Sequence, residues 1–229
     1  MTREAWLLTP GRVPYGPVFR AMRDLVDRRV EDEVPDTLIL LEHHPVYTAG
    51  RRTDPAHLLL AERDLRAMGA ELHEVDRGGS ITFHGPGQLV GYPIVHLGVA
   101  PSLAEHVRRM QEVVIRSCAD VGVNAAPDDE VGVWSGDRKV CAIGVKSTRR
   151  VTYHGFALNC TTDLSWFDAI VPCGLTDRGV TTLSELAGRT VTVDEMVPIV
   201  ARRFAEVFDR ELTEAPTEIA RGFAPADAA

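Results

Sequence analysis

One uncharged segment limits what this chain can fold into more than any other feature. Between Arg77 and Glu105 the sequence contains no Asp, Glu, Lys or Arg. A stretch of this length is typical of a membrane span or of chain buried inside a folded protein. Prolines and histidines break it at Pro86, Pro93, Pro101, His84 and His96, which argues against a span. We therefore expect residues 78–104 to surround a ligand or to lie in a sheet, without membrane contact.

The composition is that of an ordinary globular protein, since 45% of the 229 residues are hydrophobic and 25% are charged. These values exclude a disordered, collagen-like or disulfide-stapled chain. A net charge of −8 argues against bulk binding to nucleic acid. The four cysteines form no CxxC pair, which predicts reduced thiols in a cytoplasmic protein.

Hydrophobic periodicity predicts irregularly alternating helices and strands. The predicted helices cover residues 17–30 and 61–68, with two more that begin at the capping pairs Ser102/Glu105 and Thr192/Glu195. The predicted strands cover residues 5–8, 37–41, 71–75, 89–96, 140–145 and 151–158, and residues 77–88 are expected to form a glycine-rich loop. Pro198 predicts a kink or a later start in the last helix.

The sequence shows neither an internal repeat nor a linker between domains. The predicted fold class is therefore α/β (α+β), as a single domain over residues 1–212 in which a mixed sheet is flanked by helices. A tail rich in Pro and Ala follows over residues 213–229, and its composition predicts poor order.

The densest candidate for a binding site is the segment from Arg77 to Gln88, which contains four glycines. Glycine lets the backbone approach a ligand closely and adopt positive φ. The segment has neither the GxxxxGK[ST] pattern of a P-loop nor a GxGxxG motif that opens a helix. On spacing alone, an ordinary turn between two strands explains it equally well.

Lysine usage marks a second candidate, because only Lys139 and Lys146 among the 25 basic residues are lysines. Burial can move the pKa of a lysine into a useful range, although two ordinary surface lysines remain the alternative. His154, at the start of the sequence His-Gly-Phe-Ala-Leu-Asn, is more typical of a buried core histidine. The eight histidines show no metal-ligand spacing, so we predict no metal site.

The four cysteines are predicted to differ in reactivity. Cys141 and Cys160 lie within apolar runs and Cys118 lies on the apolar face of a predicted helix, which favours inert buried thiols. Cys173 lies between Pro172 and Gly174, where an apolar run ends and the chain turns. An ammonium group beside Cys173 would lower its pKa and increase the thiolate fraction about tenfold or more.

Five segments of the chain, in this order, resemble the octanoyltransferases of protein lipoylation. They are Leu41-Glu42-His43 with Val46-Tyr47-Thr48, Arg77 to Gln88, Lys139 to Gly144, His154 to Asn159, and Val171-Pro172-Cys173-Gly174. One such motif would be weak evidence, but five in order over residues 40–175 are highly specific. His44 interrupts the Glu-His-Pro order that is common in this family.

The resemblance implies that octanoyl is transferred from acyl carrier protein to a lysine of lipoyl domains in 2-oxoacid dehydrogenases and the glycine-cleavage H protein. It implies that Cys173 carries the acyl group as a thioester, that Lys139 lowers the pKa of this thiol, and that the fold is similar to lipoate and biotin protein ligase catalytic domains. The substrate-binding residues that it implies are Arg77, Gly78, Gly79, Ser80, Ile81, Thr82, Phe83, His84, Ala142, Ile143, Gly144, Gly155, Phe156 and Ala157.

The chemistry of the segments agrees with these implications. The uncharged glycine segment and the strands around Ile143 and Ala157 could line an apolar tunnel for an octanoyl chain, and the glycine backbone N–H groups are candidate oxyanion donors. His43, His84 and His154 are candidates for positioning or proton transfer. We expect a cytoplasmic monomer that needs no metal or nucleotide cofactor, since its substrate is carried on the phosphopantetheine arm of acyl carrier protein.

Three alternatives stay open at this point. An ATP-dependent lipoate or biotin protein ligase would activate a free acid as an acyl-adenylate and would not need Cys173. A cysteine hydrolase would use Cys173 with His84 or His154 and would release free octanoate. A module that only binds lipoyl domains would keep its function when Cys173 is replaced by alanine.

Overall fold

A computed structural model describes residues 3–99, 102–171 and 178–223 of the chain. The strands are β1 Arg3–Val13, β2 Asp36–His43, β3 Val46–Ala49, β4 Glu71–Glu74, β5 Ile81–His84, β6 Gln88–Ile94, β7 Val133–Ser135, β8 Arg138–Thr148, β9 Val151–Asn159 and β10 Arg210–Glu214. The helices are α1 Tyr15–Val30, α2 Glu62–Ala67, α3 Leu103–Asp120, α4 Leu183–Ala187, α5 Val193–Phe208 and α6 Thr217–Arg221, with 3₁₀ turns at Pro55–His57 and Leu164–Ala169.

Seven strands form a mixed main sheet in the order β10-β1-β2-β6-β9-β8-β7. β10, β1 and β2 run parallel to one another, and each further pair from β2 to β7 is antiparallel. The remaining strands form a three-stranded sheet in the order β4-β3-β5. The predicted fold class, a mixed sheet flanked by helices, is confirmed.

Both faces of the main sheet are buried, which explains the continuous apolar run of β2. Leu38 and Leu40 belong to the core cluster that α3 and α5 cover, whereas Ile39 and Leu41 belong to the cluster under α1 and α6. Successive side chains of a strand point to opposite faces, so a strand between two helical layers must be apolar at every position.

The segment from Arg77 to Gln88 is not entirely loop as the sequence predicted. Residues 81–84 form β5, which pairs antiparallel with β3. The apolar side chains of Ile81 and Phe83 pack with Tyr47 and Phe167 in a third core cluster, between the small sheet and the 3₁₀ turn at Leu164–Ala169. This burial stabilises a strand in a sequence whose glycines predicted a turn.

The helix starts follow the predicted caps. The Ser102 hydroxyl accepts a hydrogen bond from the backbone N–H of Glu105 at 3.1 Å, and the Thr192 hydroxyl accepts one from Glu195 at 3.2 Å. Helix α5 starts directly after Thr192 and continues through Pro198, so of the two alternatives predicted from this proline, the later start is wrong.

Part of the C-terminal segment that was expected to be poorly ordered has regular secondary structure. Residues 210–214 form β10 beside β1, and α6 follows, with Ile219 and Phe223 buried in the cluster under α1. The pairing of β10 with β1 and the burial of Ile219 and Phe223 attach this Pro- and Ala-rich segment to the core up to residue 223. The rest of the predicted tail lies outside the described residues. Within the described ranges, no helix is both long and apolar enough to cross a membrane.

Candidate active site

Three of the segments singled out in the sequence, residues 77–88, 139–144 and 154–159, contribute residues to one cavity. Strands β5, β6, β8 and β9 and the loop before β5 form its walls. Its lining includes the following predicted residues: Arg77, Gly79, Ser80, Ile81, Thr82, His84, Ala142, Ile143, Gly144, His154, Gly155, Phe156 and Ala157. Tyr15, Val90 and Tyr92 complete the lining, although the sequence analysis did not select them.

Two predicted substrate-binding residues do not line this cavity. Phe83 points into the third core cluster and stacks on Trp166 with ring centroids 5.1 Å apart. Gly78 lies in an adjoining cleft. Tyr92 and Val90 alternate along the uncharged strand β6, and this alternation is the signal that could have identified them.

Lys139 lies in the wall of a cleft that adjoins the cavity. The cleft shares Gly79, Ser80, Ile143 and Gly144 with the cavity, and His57 also lies on its wall. The Lys139 side chain is largely buried, with 6% of the residue exposed. The interpretation of Lys139 as a leftover surface lysine is therefore wrong.

Arg77 organises the loop that bounds both spaces. Its guanidinium donates hydrogen bonds to the carbonyls of Ser80 (2.8 Å), Gly78 (3.0 Å) and Thr48 (2.6 Å), and to the Thr48 hydroxyl at 2.9 Å. These bonds fold the glycine segment around a buried cation and fix the backbone that forms the cavity wall.

A chain of hydrogen bonds with one direction begins at Arg77. Its guanidinium can only donate, so the Thr48 hydroxyl accepts from it and donates to His84 Nε2 at 3.3 Å. His84 Nδ1–H then donates to Gln88 Oε1 at 2.8 Å, and Gln88 Nε2–H donates to Asn159 Oδ1 at 2.9 Å.

The chain ends where the amide of Asn159 donates to the carbonyl of Thr181 at 3.0 Å. Both ring nitrogens of His84 are thus committed to the chain, and burial lowers the pKa of His84 to about 3. His84 is therefore a neutral imidazole with two fixed partners, Thr48 and Gln88.

His43 is hydrogen-bonded to Tyr92, a residue of the cavity wall. Its Nδ1–H donates to the carbonyl of Val13 at 3.0 Å, so Nε2 accepts the hydrogen bond from the Tyr92 hydroxyl at 2.8 Å. Burial lowers the pKa of His43 to about 4 and raises that of Tyr92. Both groups are therefore neutral near pH 7, and His43 fixes the orientation of a tyrosine in the cavity wall.

His154 lies in the cavity wall and pairs with Asp76. Its Nε2–H donates to the Asp76 carboxylate at 3.0 Å, and Tyr153 donates to the other carboxylate oxygen at 2.6 Å. These two hydrogen bonds, that of His154 above all, hold the pKa of Asp76 far below its usual range, while burial lowers the pKa of His154. His154 is therefore a neutral imidazole in a tautomer set by Asp76.

His154 also has an unusual backbone conformation for a strand residue, with φ at +57°. Non-glycine residues rarely occupy this region, and they are found there more often at functional sites. The expectation of an ordinary core histidine is therefore incomplete, because His154 is buried but lines the cavity.

Two of the glycine N–H groups expected to stabilise an oxyanion are already used. Gly78 N–H donates to the carbonyl of Val145 at 3.0 Å, and Gly87 N–H donates to the Glu42 carboxylate. Neither group is available to a reacting oxygen.

The three described cysteines are buried free thiols, as predicted. Burial raises the pKa of Cys118 to about 12, and it also raises those of Cys141 and Cys160. None of the three is a useful nucleophile, because almost no thiolate forms at neutral pH. Cys173, the fourth, lies outside the described residues.

Over residues 3–99, 102–171 and 178–223, no group of three or more His, Cys, Asp or Glu side chains is arranged to hold a metal ion.

Comparison with known proteins shows the family of the chain. Residues 14–205 match the lipoyl protein ligase A/B catalytic domain family. The octanoyltransferase of Acidothermus cellulolyticus is 50% identical over 202 residues, which cover 86% of this chain and 88% of that protein. The mitochondrial octanoyl-[acyl-carrier-protein]:protein N-octanoyltransferase of Danio rerio is 44% identical over 206 residues, covering 89% and 92%. A bipartite lipoate protein ligase of Thermoplasma acidophilum has a similar fold, with a TM-score of 0.73 at 19% identity and coverage of 96% and 91%.

Proposed function

The chain belongs to the octanoyltransferase family and is an acyltransferase, and from this premise we propose how its residues perform the transfer. An octanoyl group passes from the phosphopantetheine thioester of acyl carrier protein to Cys173. It then passes to the ε-amine of a lysine on lipoyl domains of 2-oxoacid dehydrogenases and of the glycine-cleavage H protein.

One observation carries the proposal: the apolar cavity adjoins a cleft in which Lys139 is buried. An octanoyl chain that filled the cavity would bury seven CH₂ and CH₃ groups, at about 0.8 kcal/mol each. Its carbonyl end would then lie toward the cleft and the ammonium. An acyl site next to a buried lysine is the arrangement that a cysteine–lysine acyltransferase needs.

The described residues on either side of Cys173 support its assignment as the nucleophile. Val171 N–H donates to the carbonyl of His57 at 2.9 Å, and Lys139 N–H donates to the carbonyl of Gly179 at 3.0 Å. Both anchors belong to the wall of the cleft. Cys173 follows Val171 by two residues in the sequence.

In the first half of the proposed reaction, the Cys173 thiolate attacks the thioester carbonyl carbon and the carbon–sulfur bond to pantetheine breaks. The leaving pantetheine thiolate takes a proton from the Lys139 ammonium. Thioester is exchanged for thioester, so little free energy changes.

In the second half, the neutral amine of the acceptor lysine attacks the Cys173 thioester. Its N–H proton moves to the Lys139 amine, an amide bond forms, and the Cys173 thiolate leaves beside a restored ammonium. Amide formation drives the reaction forward. His154, in the tautomer set by Asp76, positions the bound acyl group.

Cys173, Lys139 and His154 all belong to one chain, so we propose that the protein acts as a monomer. A thiol nucleophile must stay reduced, and the three described cysteines are free. We therefore propose a reducing compartment, the cytoplasm, as its location.

A transfer assay separates this proposal from an ATP-dependent ligase of the same fold. The protein is mixed with a lipoyl domain and either octanoyl-acyl carrier protein without ATP, or octanoate with ATP. We expect octanoylation of the lipoyl domain with the first mixture. Octanoylation with the second mixture alone would contradict the proposal.

A further inference from the structure

A short segment of chain takes the place of β9 beside Lys139. The pairing of β8 with β9 ends two residues short of Lys139, and Lys139 pairs in parallel with Val180 instead. Its backbone N–H donates to the carbonyl of Gly179, and its carbonyl accepts from the N–H of Thr181, both at 3.0 Å. The backbone that carries the Lys139 side chain is therefore bonded to residues 179–181.

One side chain of β9 ties this segment to the main sheet. Asn159, the last residue of the strand, donates from its side-chain amide to the carbonyl of Thr181 at 3.0 Å. Its Oδ1 accepts from Gln88 Nε2 at 2.9 Å, so both ends of the amide have partners. Asn159 is 4% exposed and Thr181 is fully buried, so bulk water does not compete for this hydrogen bond.

Asn159 thus connects two parts of the candidate site. On one side, its amide belongs to the chain of hydrogen bonds that begins at Arg77 in the cavity wall and passes through His84. On the other side, Thr181 is bonded to the backbone of Lys139. The wall of the acyl cavity and the strand that carries Lys139 are therefore joined through this amide.

We propose that Asn159 is a positioning residue for Lys139, an inference that rests on the function proposed above. Through Thr181, its amide holds residues 179–181 in register with Lys139 and so fixes the backbone from which the lysine side chain extends. In the proposed reaction Lys139 gives up a proton in one half and takes one in the other, so its position affects both halves. A shift of about 1 Å at such a group costs about a hundredfold in rate.

Lysine labelling gives a local test, because Lys139 and Lys146 are the two lysines of the chain and both lie in β8. In protein made with ¹⁵N-labelled lysine each gives one backbone amide resonance, and Lys146→Met assigns them. Hydrogen–deuterium exchange is then measured in the wild type and in Asn159→Leu, which keeps a side chain of similar size without the amide. The amide of Lys139, which donates to Gly179, should exchange about tenfold faster, whereas that of Lys146 should not change.

Octanoyl transfer in the same variants measures the consequence for the reaction. In Asn159→Leu the single-turnover rate at saturating octanoyl-acyl carrier protein should fall about tenfold to a hundredfold, while the concentration for half-saturation stays within about twofold. Asn159→Asp keeps the acceptor for Gln88, but its carboxylate has no N–H for Thr181, so it should give the same losses. Circular dichroism checks folding, and if Asn159→Leu does not fold, Asn159→Asp decides.

Ser184→Ala is the matched control. The Ser184 hydroxyl donates to the carbonyl of Cys160 at 2.8 Å, so it also links the end of β9 to the chain that follows Thr181. Its partners in the described structure are Cys160 and Val191, outside residues 179–181. The substitution should leave the exchange of the Lys139 amide and the transfer rate within about twofold of the wild type.

Equal acceleration of both lysine amides in Asn159→Leu, or the same losses in Ser184→Ala, would overturn the proposal, because the sheet as a whole would then have loosened. An unchanged Lys139 amide or an unchanged transfer rate in Asn159→Leu would overturn it too. Failure of the underlying function would look different, since the wild type itself would then transfer no octanoyl group, while the Lys139 amide would still respond to the loss of Asn159.

Discussion

The two lysines of this protein lie at opposite ends of strand β8 and have different surroundings. Lys146 forms an ion pair with Asp76 at 3.3 Å, and its side chain is 31% exposed. Asp76 also accepts hydrogen bonds from Tyr153 and His154. Lys139 is buried beside the cleft, and its ammonium lies over the neutral ring of Trp134.

This difference shows how one residue type can serve two purposes on one strand. A carboxylate compensates the charge of Lys146, which helps hold Asp76 and, through it, His154. The ammonium of Lys139 lies over an aromatic ring, whose face attracts a cation. The acyl cavity lies between the two ends, lined by Ala142, Ile143 and Gly144 of β8.

The strongest way to break the comparison is to remove each ammonium in turn. Lys139→Met keeps the stem over Gly132 but loses the charge and the proton, so octanoyl transfer at pH 7 should fall by about a hundredfold or more. Lys146→Met removes a partly exposed ion pair, and the rate should stay within about threefold of the wild type. Single-turnover kinetics measure both, and losses of similar size would show that the two ends do not differ in function.

A substitution between the two ends should alter the acyl group accepted and leave the thiol unchanged. Ala157 lines the cavity from β9, opposite Ala142. In Ala157→Leu the larger side chain competes with the acyl tail, and overpacking of about 1–3 kcal/mol should slow octanoyl loading about tenfold or more. Butanoyl loading measured in the same variant is the control. An equal loss with both chain lengths would mean that Ala157 does not face the acyl tail.

The Lys146 end can be tested through its carboxylate. Asp76→Asn keeps the shape of the side chain but replaces one of its two acceptor oxygens with an NH₂ donor, so it can no longer accept from both Tyr153 and His154. We expect octanoyl transfer to fall about fivefold, the effect of losing one hydrogen bond of about 1 kcal/mol. The pH midpoint for alkylation of Cys173 by iodoacetamide should not move. A shifted midpoint would mean that the two ends are coupled.

The smallest expected effect is on stability, and it concerns His106, a buried histidine outside the candidate site. Burial lowers the pKa of His106 to about 4, and neither ring nitrogen has a hydrogen-bond partner within the described part of the chain. Below pH 6.5 these histidines bind protons in the unfolded chain, but His43, His84 and His106 stay neutral in the folded protein because their pKa values are lowered. The free energy of unfolding therefore falls as the pH drops from about 6.5 toward 4.

His106→Leu should reduce the loss of unfolding free energy at low pH, because one of the three histidines is gone. It should also raise the free energy of unfolding by about 1 kcal/mol at pH 7.5, because two unpartnered polar atoms are removed. Urea unfolding at pH 7.5 and pH 5 should show a smaller difference between the two conditions than in the wild type, with unchanged octanoyl transfer. An undiminished pH difference would contradict the assignment of a neutral buried His106.

Local patterns in the sequence predicted much of the fold. The apolar run of β2 and the caps of α3 and α5 are short-range signals, and the structure follows them. Strand β5 and the ordered segment with Ile219 and Phe223 were missed, because their stability comes from cores built by distant parts of the chain.

The site residues also fall into those predicted from local sequence and those that depend on contacts between distant parts of the chain. The cavity lining followed from motif segments that are continuous in the chain. Tyr15 and Tyr92 did not, nor did the contact of Trp134 with Lys139, since these depend on strand register and helix placement. The bonding of each histidine also had to be observed, because a sequence does not show which ring nitrogen finds which partner.

The central claim is that Cys173 carries the octanoyl group, and intact-mass spectrometry under denaturing conditions tests it most directly. The protein is mixed with octanoyl-acyl carrier protein without ATP, and a lipoyl domain is then added. We predict one octanoyl adduct that is absent in Cys173→Ala and moves to the lipoyl domain. An adduct that persists in Cys173→Ala, or octanoylation of the lipoyl domain by that variant at the wild-type rate, would contradict the account.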